Sequence, residues 1–202
     1  MFNSVEFIQK DLPHKTQALL HQYVKLILEW NRKTNITSKH NTQGRIYDFI
    51  CEGIALGKLI DNKQSLIVDI GSGAGFPGIV LSIIGFRNIH LVEINIKKAT
   101  FLQYVVAELG LKTKVYNKDI KAFFLSGVDY IVSKAVTTSD ELLSLSSHIA
   151  HKEIKFILCK NLDDGDIVGE QSQVLLTDSF GIDKNYKFIT YLGRNYNEYM
   201  EK

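Results

Sequence analysis

The sequence predicts an α/β protein with an open parallel sheet that helices cover on both faces. From Leu66 onward, short apolar strands alternate with longer amphipathic helices, which is typical of a parallel sheet with crossover helices on both faces. Before that point, the apolar residues recur only with helical spacing. We therefore divide the chain into a helical N-terminal extension, residues 1–62, packed on an α/β domain, residues 63–202.

The extension is expected to contain two amphipathic helices joined by a polar segment. Pro13 can open the first helix, because proline is favoured in the first turn of a helix. Each helix has apolar residues three to four positions apart, which places them on one face. These residues are Leu19, Leu20, Tyr23, Val24, Ile27 and Leu28 in the first helix and Ile46, Phe49, Ile50, Ile54 and Ile60 in the second.

The α/β domain is expected to contain the strands of the sheet and the helices that connect them. The strands are predicted at residues 66–70, 88–93, 114–116, 130–133, 155–158, 173–177 and 187–192, and the helices near residues 77–84, 96–110 and 139–149. Because ligands of an open α/β sheet bind at the carboxyl ends of its strands, functional residues are expected there.

Residues 66–78 indicate a site for an adenosine-containing cofactor. A predicted strand runs directly into Gly71, Gly73 and Gly75, and glycine allows positive φ angles and leaves no Cβ to collide with a ligand. The next strand ends in Glu93, an acid that can take both hydroxyls of a ribose. The simpler alternative is that the glycines only form a tight turn between a strand and a helix.

The spacing of the glycines favours S-adenosylmethionine over a cofactor with a pyrophosphate. A dinucleotide site has the pattern G-x-G-x-x-G, whereas this turn has G-x-G-x-G, and Phe76 and Pro77 occupy the start of the next helix. A P-loop is excluded because no lysine followed by serine or threonine comes after the glycines. S-adenosylmethionine carries no phosphate and suits the shorter turn.

The composition is that of an ordinary globular protein, with 45% hydrophobic and 23% charged residues. A net charge of +2 neither demands nor excludes a nucleic-acid partner, so an RNA-binding surface would have to concentrate the basic residues on one face. Cys51 and Cys159 lack metal-ligand spacing and predict no disulfide framework. Residues 1–10 contain no signal peptide and no run is long enough to span a membrane, so a cytoplasmic protein is expected.

Three motifs, in order along the chain, carry a resemblance to one known family. Trp30 to Thr37 matches W-N-K/R-x-x-N-L/I-T, Asp69 to Gly78 matches D-I/V-G-S/T-G-x-G-F/L-P-G, and Glu93 to Leu102 matches E-x-x-x-K-K-x-x-F-L. The chain resembles the bacterial small-subunit ribosomal RNA guanine-N7 methyltransferases, the RsmG (GidB) family. The resemblance implies a Rossmann-like methyltransferase fold with a mostly parallel, seven-stranded sheet. It also implies S-adenosylmethionine-dependent N7-methylation of one guanine in 16S ribosomal RNA.

The resemblance also implies, position by position, which residues bind the cofactor. One group would line the turn and hold the ribose: Gly71, Gly73, Gly75, Phe76 and Glu93. A second group would meet the adenine: Asp119, Ile120 and Lys121. Lys134 stands where the family has an arginine close to the reactive end of the cofactor.

The implied reaction needs no general base, because guanine N7 is already a lone-pair nucleophile in the neutral base. The rate is expected to come from aligning N7, the methyl carbon and sulfur, and from excluding water. We therefore predict no proton-transfer catalyst and no metal. Lys134 is predicted to be a positioning and electrostatic residue that holds the cofactor carboxylate or an RNA phosphate.

Basic residues near the predicted site are candidates for contacts with RNA: Arg32, Lys33, Lys97, Lys98 and Lys160. Lys39 and His40 extend the basic loop that Arg32 opens. A solvated protein surface is the alternative for the loop and for the two helical lysines. The implied partner is small-subunit ribosomal RNA or an assembling small subunit, bound by a monomer.

Several positions depart from the family pattern. Asp48, Cys51 and Glu52 fall where the family has H-x-x-D-S, and Lys121 falls in a familial R-x-E. Lys134 keeps the charge of the familial arginine but loses the planar fork that grips a carboxylate at two points. The tail also lacks a clear final apolar strand. These departures leave open a methyltransferase with another RNA or small-molecule substrate, or a degenerate member that binds ribosomal RNA without turnover.

Overall fold

A computed structural model describes residues 4–38, 42–134, 138–150, 153–161, 173–176 and 186–192 of the chain. Three helices precede the first strand: α1 (Ser4–Asp11), α2 (His14–Asn31) and α3 (Gln43–Gly57). Three more lie between strands: α4 (Gly78–Ile83), α5 (Ile96–Glu108) and α6 (Ser139–Ser146). Short 3₁₀ turns span Ile120–Ala122 and Ser147–Ile149.

The strands are β1 (Leu66–Ile70), β2 (Asn88–Val92), β3 (Lys114–Tyr116), β4 (Tyr130–Lys134), β5 (Lys155–Asn161), β6 (Gln173–Leu176) and β7 (Tyr186–Leu192). They form one sheet in the order β3-β2-β1-β4-β5-β7-β6. The first five strands are parallel, and β7 runs antiparallel between β5 and β6. The mostly parallel, seven-stranded sheet predicted from the sequence is confirmed.

The last two strands lie where the sequence predicts them, at 173–176 against 173–177 for β6 and at 186–192 against 187–192 for β7. β7 pairs with β5 over seven residues, from Leu192 opposite Lys155 to Tyr186 opposite Asn161. Because β7 is hydrogen-bonded on both edges, backbone pairing holds it in place without a continuous apolar run. The tail therefore forms a final strand although its sequence lacks a clearly apolar one.

The sequence predicted two of the three helices before β1 and missed α1. α1 has only eight residues and buries two of them, Ser4 and Ile8. Two buried residues are too few to reveal helical spacing in the sequence. α2 begins directly after Pro13, as expected. α3 ends at Gly57, so Ile60 packs in the core from the loop that follows the helix.

Side chains of the central strands alternate between two apolar layers, one on each face of the sheet. Ile67 and Val132 pack in the layer that includes helices α1 to α5, whereas Val68 and Ile131 pack in the layer that includes α6. Lys134 comes two residues after Val132 and therefore lies on the face that α3 covers.

Candidate active site

The segment between β1 and α4, residues 71–78, is called the glycine turn below. Gly71, Gly73 and Gly75 have φ angles of 66°, 59° and 102°, in the region that favours glycine. The Gly71 N–H donates to the Val92 carbonyl at 2.9 Å, and the Gly75 N–H donates to the Ser72 carbonyl at 2.7 Å. The turn is therefore fixed between the carboxyl ends of β1 and β2.

Two glycines of the turn leave no room for a side chain. A Cβ on Gly75 would lie 2.6 Å from both Ile79 Cγ1 and the Tyr23 hydroxyl oxygen. A Cβ on Gly78 would lie 2.3 Å from Leu91 Cδ2. These positions need glycine for close packing, which joins the turn to α2, α4 and β2.

Glu93 lies beside Gly73, a glycine of the turn with open space around it. Its Oε2 accepts a hydrogen bond from the Gly73 N–H at 2.7 Å, and its Oε1 accepts one from the Asn95 N–H at 2.8 Å. Among the described residues, a Cβ on Gly73 would meet nothing closer than the Gly71 carbonyl oxygen, at 3.7 Å. A carboxylate can accept about four hydrogen bonds, so Glu93 keeps acceptor capacity for hydroxyls of a ribose. Open backbone beside such a carboxylate fits the nucleoside of S-adenosylmethionine.

Asp69 anchors the other end of the glycine turn from inside the protein. Its side chain is fully buried, and Oδ2 accepts a hydrogen bond from the Gly78 N–H at 2.9 Å. Among the residues that the structure describes, Oδ1 has no hydrogen-bond partner. Burial raises the pKa of the Asp69 carboxyl to about 7, against the opposing effect of its hydrogen bonds.

The predicted adenine-binding residues form a short capped turn after β3. Asp119 Oδ1 accepts a hydrogen bond from the Lys121 N–H at 2.9 Å, while Ile120 is buried beneath the turn. Asn117, which the sequence did not indicate, donates from Nδ2 to the Glu93 carbonyl at 2.9 Å. It therefore joins the predicted adenine side to the predicted ribose side.

Lys134 lies at the carboxyl end of β4, next to the glycine turn. The parallel register of β1 and β4 places Asp69 opposite Val132. Continued by two residues, this register brings Lys134 level with Gly71. The sheet thus places Lys134 at the edge where the sequence predicted it to act.

The Lys134 ammonium is held by an acidic and an aromatic side chain of α3. It forms an ion pair with Glu52 Oε2, and Nζ lies 3.4 Å from the centre of the Phe49 ring. Nζ is also 5.9 Å from the centre of the Phe76 ring, in the glycine turn. Burial lowers the pKa of Lys134 against the opposing effect of Glu52.

Glu52, like Asn117, has a place in this site that the sequence did not reveal. Only 2% of Glu52 is exposed, and burial raises its pKa despite the neighbouring Lys134 charge. Cys159 Sγ, from β5, lies 4.0 Å from Oε2, and Oε1 has no hydrogen-bond partner in the described part of the chain. One feature of the sequence could have indicated this role: Glu52 is a charged residue among the apolar residues of α3.

The other two departures on α3, Asp48 and Cys51, face α1 and not the glycine turn. Asp48 Oδ1 accepts a hydrogen bond from the Ser4 hydroxyl at 2.6 Å, and Asp48 Oδ2 lies 3.5 Å from Arg45 Nη1. The Cys51 thiol lies 3.8 Å from the Ser4 carbonyl oxygen, and burial raises its pKa to about 12. These residues hold α1 against α3.

The predicted RNA-contacting residues differ in their accessibility. Arg32, Lys33 and Lys97 are exposed and Lys98 is half-buried. Lys160 is only 6% exposed, because its position on β5 turns it into the protein. The structure therefore contradicts the prediction that Lys160 faces RNA.

Lys39 and His40 lie outside the described residues. Within the described residues, no helix is long and apolar enough to cross a membrane. In the same part of the chain, no three His, Cys, Asp or Glu side chains converge as a metal site would require.

The family model described as rRNA small subunit methyltransferase G (GidB) matches residues 16–191. The chain is similar to Ribosomal RNA small subunit methyltransferase G of Wolinella succinogenes, with 37% identity over 139 residues that cover 67% of this chain and 71% of the relative. The protein of the same name from Orientia tsutsugamushi strain Ikeda is 30% identical over 183 residues, which cover 91% of this chain and 89% of the relative.

Solved structures of lower identity share the fold. A mutant of MtNAS in complex with S-adenosylmethionine has a TM-score of 0.58 at 20% identity, covering 95% of this chain and 84% of that chain. Magnesium protoporphyrin IX methyltransferase from Synechocystis, with bound S-adenosylmethionine, has a TM-score of 0.55 at 15% identity, covering 90% and 97%. At these identities the likeness shows the Rossmann-like fold alone.

Proposed function

This chain belongs to the rRNA small subunit methyltransferase G family, and from that premise we propose that it methylates N7 of one guanine in 16S ribosomal RNA. The methyl donor is S-adenosylmethionine. The observation that carries this conclusion is the open backbone at Gly73, hydrogen-bonded to the Glu93 carboxylate at the carboxyl edge of the sheet. S-adenosylmethionine, when bound, supplies an activated methyl group on a positively charged sulfur.

The cofactor contacts are assigned to the residues around the glycine turn. The turn and its ribose partner are Gly71, Gly73, Gly75, Phe76 and Glu93, and the adenine side is Asp119, Ile120 and Lys121. The hydrogen bonds from Gly73 and Asn95 to Glu93 support this assignment, because they fix the carboxylate before any ligand arrives. Lys134 is assigned to the reactive end.

Catalysis is assigned to alignment and to the exclusion of water. Guanine N7 attacks without losing a proton, so no side chain needs to act as a base. The rings of Tyr23 and Phe49 lie 5.5 Å and 5.4 Å from the Phe76 ring and form an apolar wall beside the turn. The Tyr23 hydroxyl donates to the Ala74 carbonyl at 2.6 Å, and burial raises its pKa well above the ordinary value, so it stays neutral.

RNA contacts are assigned to basic residues that follow α2 or lie in the first turn of α5: Arg32, Lys33, Lys97 and Lys98. Arg32 also lines a groove of about 300 Å³ together with His21 and Lys25 of α2. Contacts of this kind position RNA through its phosphates and do not read its sequence. We assign the protein to the cytoplasm, as a monomer that needs no metal and meets the assembling small subunit.

The division at residues 62 and 63 also remains a proposal. It is supported by the order of the elements, since α1 to α3 all precede β1. The shared apolar layer of α1 to α5 supports an extension that packs on the methyltransferase domain.

Mapping of 16S ribosomal RNA by mass spectrometry tests the function. RNA from cells that lack this protein should have lost one N7-methylguanosine, and the parent chain should restore it. A Gly73→Arg variant should not restore it, because arginine fills the open face of the turn. Gly85→Arg is the matched control, since Gly85 also has a positive φ, of 103°, and a Cβ there would meet no atom of the described residues within 4 Å.

An unchanged methylation map would contradict 16S ribosomal RNA as the substrate. Calorimetric titration with S-adenosylmethionine would then separate the two alternatives. Binding would indicate a methyltransferase with another substrate, and no binding would indicate a degenerate member that binds ribosomal RNA without turnover.

A further inference from the structure

We propose that Glu52 is a positioning residue that holds Lys134 and balances its charge, so that a sulfonium cofactor can bind beside the carboxyl end of β4. The inference rests on the proposed function, because it concerns the charge of S-adenosylmethionine. The sulfonium of S-adenosylmethionine is positive, whereas S-adenosylhomocysteine has a neutral thioether. An unbalanced ammonium nearby would therefore weaken binding of the first compound more than binding of the second.

The position of Lys134 places its charge at the rim of the glycine turn. Its backbone is level with Gly71 when the β1–β4 register is continued. Its Nζ is 5.9 Å from the centre of the Phe76 ring, which belongs to the turn. A ligand seated on the turn would thus be close enough for the lysine charge to act on it.

Water cannot screen this charge effectively. Only 12% of the Lys134 side chain and 2% of the Glu52 side chain are exposed. Buried charges interact more strongly than charges at the surface, because the surrounding dielectric constant is lower. The balancing charge must therefore come from the protein, and Glu52 is the carboxylate in direct contact.

A second cation near Phe49, Arg45, has an acidic partner of its own. The guanidinium carbon of Arg45 lies 4.8 Å from the centre of the Phe49 ring, and Arg45 Nη1 lies 3.5 Å from Asp48 Oδ2. Removing the Glu52 charge would consequently shift the charge beside the turn by one positive unit. The extension, through α3, thus adjusts the electrostatics of the methyltransferase domain.

Calorimetric titration of the full chain with each of the two compounds tests the inference. The quantity compared is the affinity for S-adenosylmethionine divided by the affinity for S-adenosylhomocysteine. Glu52→Gln should lower this ratio by roughly tenfold, as expected for a unit charge about 10 Å away in a partly buried site. Lys134→Met should shift the affinity ratio in the opposite direction, because it leaves the carboxylate. Glu52→Gln combined with Lys134→Met should return the ratio close to that of the parent.

The matched control is a second lysine–carboxylate pair at the opposite edge of the sheet. Lys155, at the amino end of β5, lies 3.1 Å from Asp61, and Asp61→Asn should leave the ratio unchanged. If Glu52→Gln does not fold, as judged by circular dichroism, the double variant compared with Lys134→Met still isolates the Glu52 charge.

Three outcomes would overturn the inference. An unchanged ratio in folded Glu52→Gln would show that the carboxylate does not balance charge for the ligand. An equal loss of affinity for both compounds in Lys134→Met would show that the lysine binds the cofactor carboxylate, which both compounds have. A parent chain that bound neither compound would overturn the proposed function as well, and that result is distinguishable from the first two.

Discussion

The glycine turn and the Glu52–Lys134 pair lie side by side at the carboxyl edge of the sheet, but their charges are held in different ways. In the turn, backbone N–H groups of Gly78 and Gly73 donate to Asp69 and Glu93. In the pair, a carboxylate from α3 is held by a cation from β4. The first arrangement depends on local chain geometry, whereas the second depends on two side chains that can be exchanged together.

The largest expected effect comes from a substitution that removes only one member of the Glu52–Lys134 pair. Lys134→Met should lower the free energy of unfolding by about 3–5 kcal/mol, because it leaves a buried carboxylate without its cation. Glu52→Met combined with Lys134→Met should be close to the parent. Urea unfolding of the two variants measures both values, and equal losses would contradict the view that the side chains act as a unit.

The pH dependence of the single variant sharpens this test. Without Lys134, the folded-state pKa of Glu52 rises further above its unfolded value, so the folded state binds more protons. The loss of stability in Lys134→Met should therefore be smaller at pH 5 than at pH 8. The double variant serves as the control, because it has no carboxylate at this position.

Asp69, which accepts a hydrogen bond from the glycine turn, allows a corresponding test of how stability depends on pH. Its pKa is about 7 in the folded protein against 3.8 for an ordinary aspartate, so the unfolded chain releases its proton first. The parent should lose stability relative to Asp69→Asn as the pH rises from about 4 to 7, by on the order of 3 kcal/mol, and the difference should level off above about pH 8. Urea unfolding at several pH values checks this, and a constant difference would contradict it.

Gly75→Ala compared with Gly85→Ala separates close packing from backbone strain. The two glycines have φ angles of 102° and 103°, but only Gly75 has neighbours at 2.6 Å from a Cβ. We expect Gly85→Ala to cost about 1 kcal/mol and Gly75→Ala about 2–3 kcal/mol. Equal losses in unfolding experiments would mean that the packing around the turn relaxes.

The smallest expected effect concerns the link between the two regions. The buried Ser133 hydroxyl, on β4, donates to the Ile70 carbonyl, on β1, at 3.0 Å. Ser133→Ala should cost about 1 kcal/mol of stability, as for one hydrogen bond. Ser147→Ala, which removes an exposed hydroxyl bond to the Ser144 carbonyl, is the control and should cost less. A larger loss in the control would contradict the importance of burial.

Much of the geometry around the glycine turn could be predicted from the sequence, because the residues that form it lie close together along the chain. The strand, the turn and the acid that ends the next strand lie within 28 consecutive residues, 66–93, and the hydrogen bond between Gly73 and Glu93 joins two of them. The roles of Asn117 and Glu52 could not be predicted. Both depend on side chains that meet residues of other elements.

Lys160 illustrates the same limit of sequence-based prediction, because a residue predicted to be accessible is buried in the structure. A lysine at the end of a strand suggests an accessible cation, but its exposure depends on what covers that face of the sheet. In the structure it is buried, and this information lies in the packing of β5 and not in the sequence near Lys160.

The sequence by itself determined the order of the strands and of helices α2 to α6, the glycine turn and the family to which the chain belongs, because periodicity and motif spacing are local properties. Only the tertiary structure decided that Glu52 meets Lys134, 82 residues further along the chain, and that α1 closes over α3. Such contacts depend on which faces of distant elements the packed core brings together, and no local pattern records that choice.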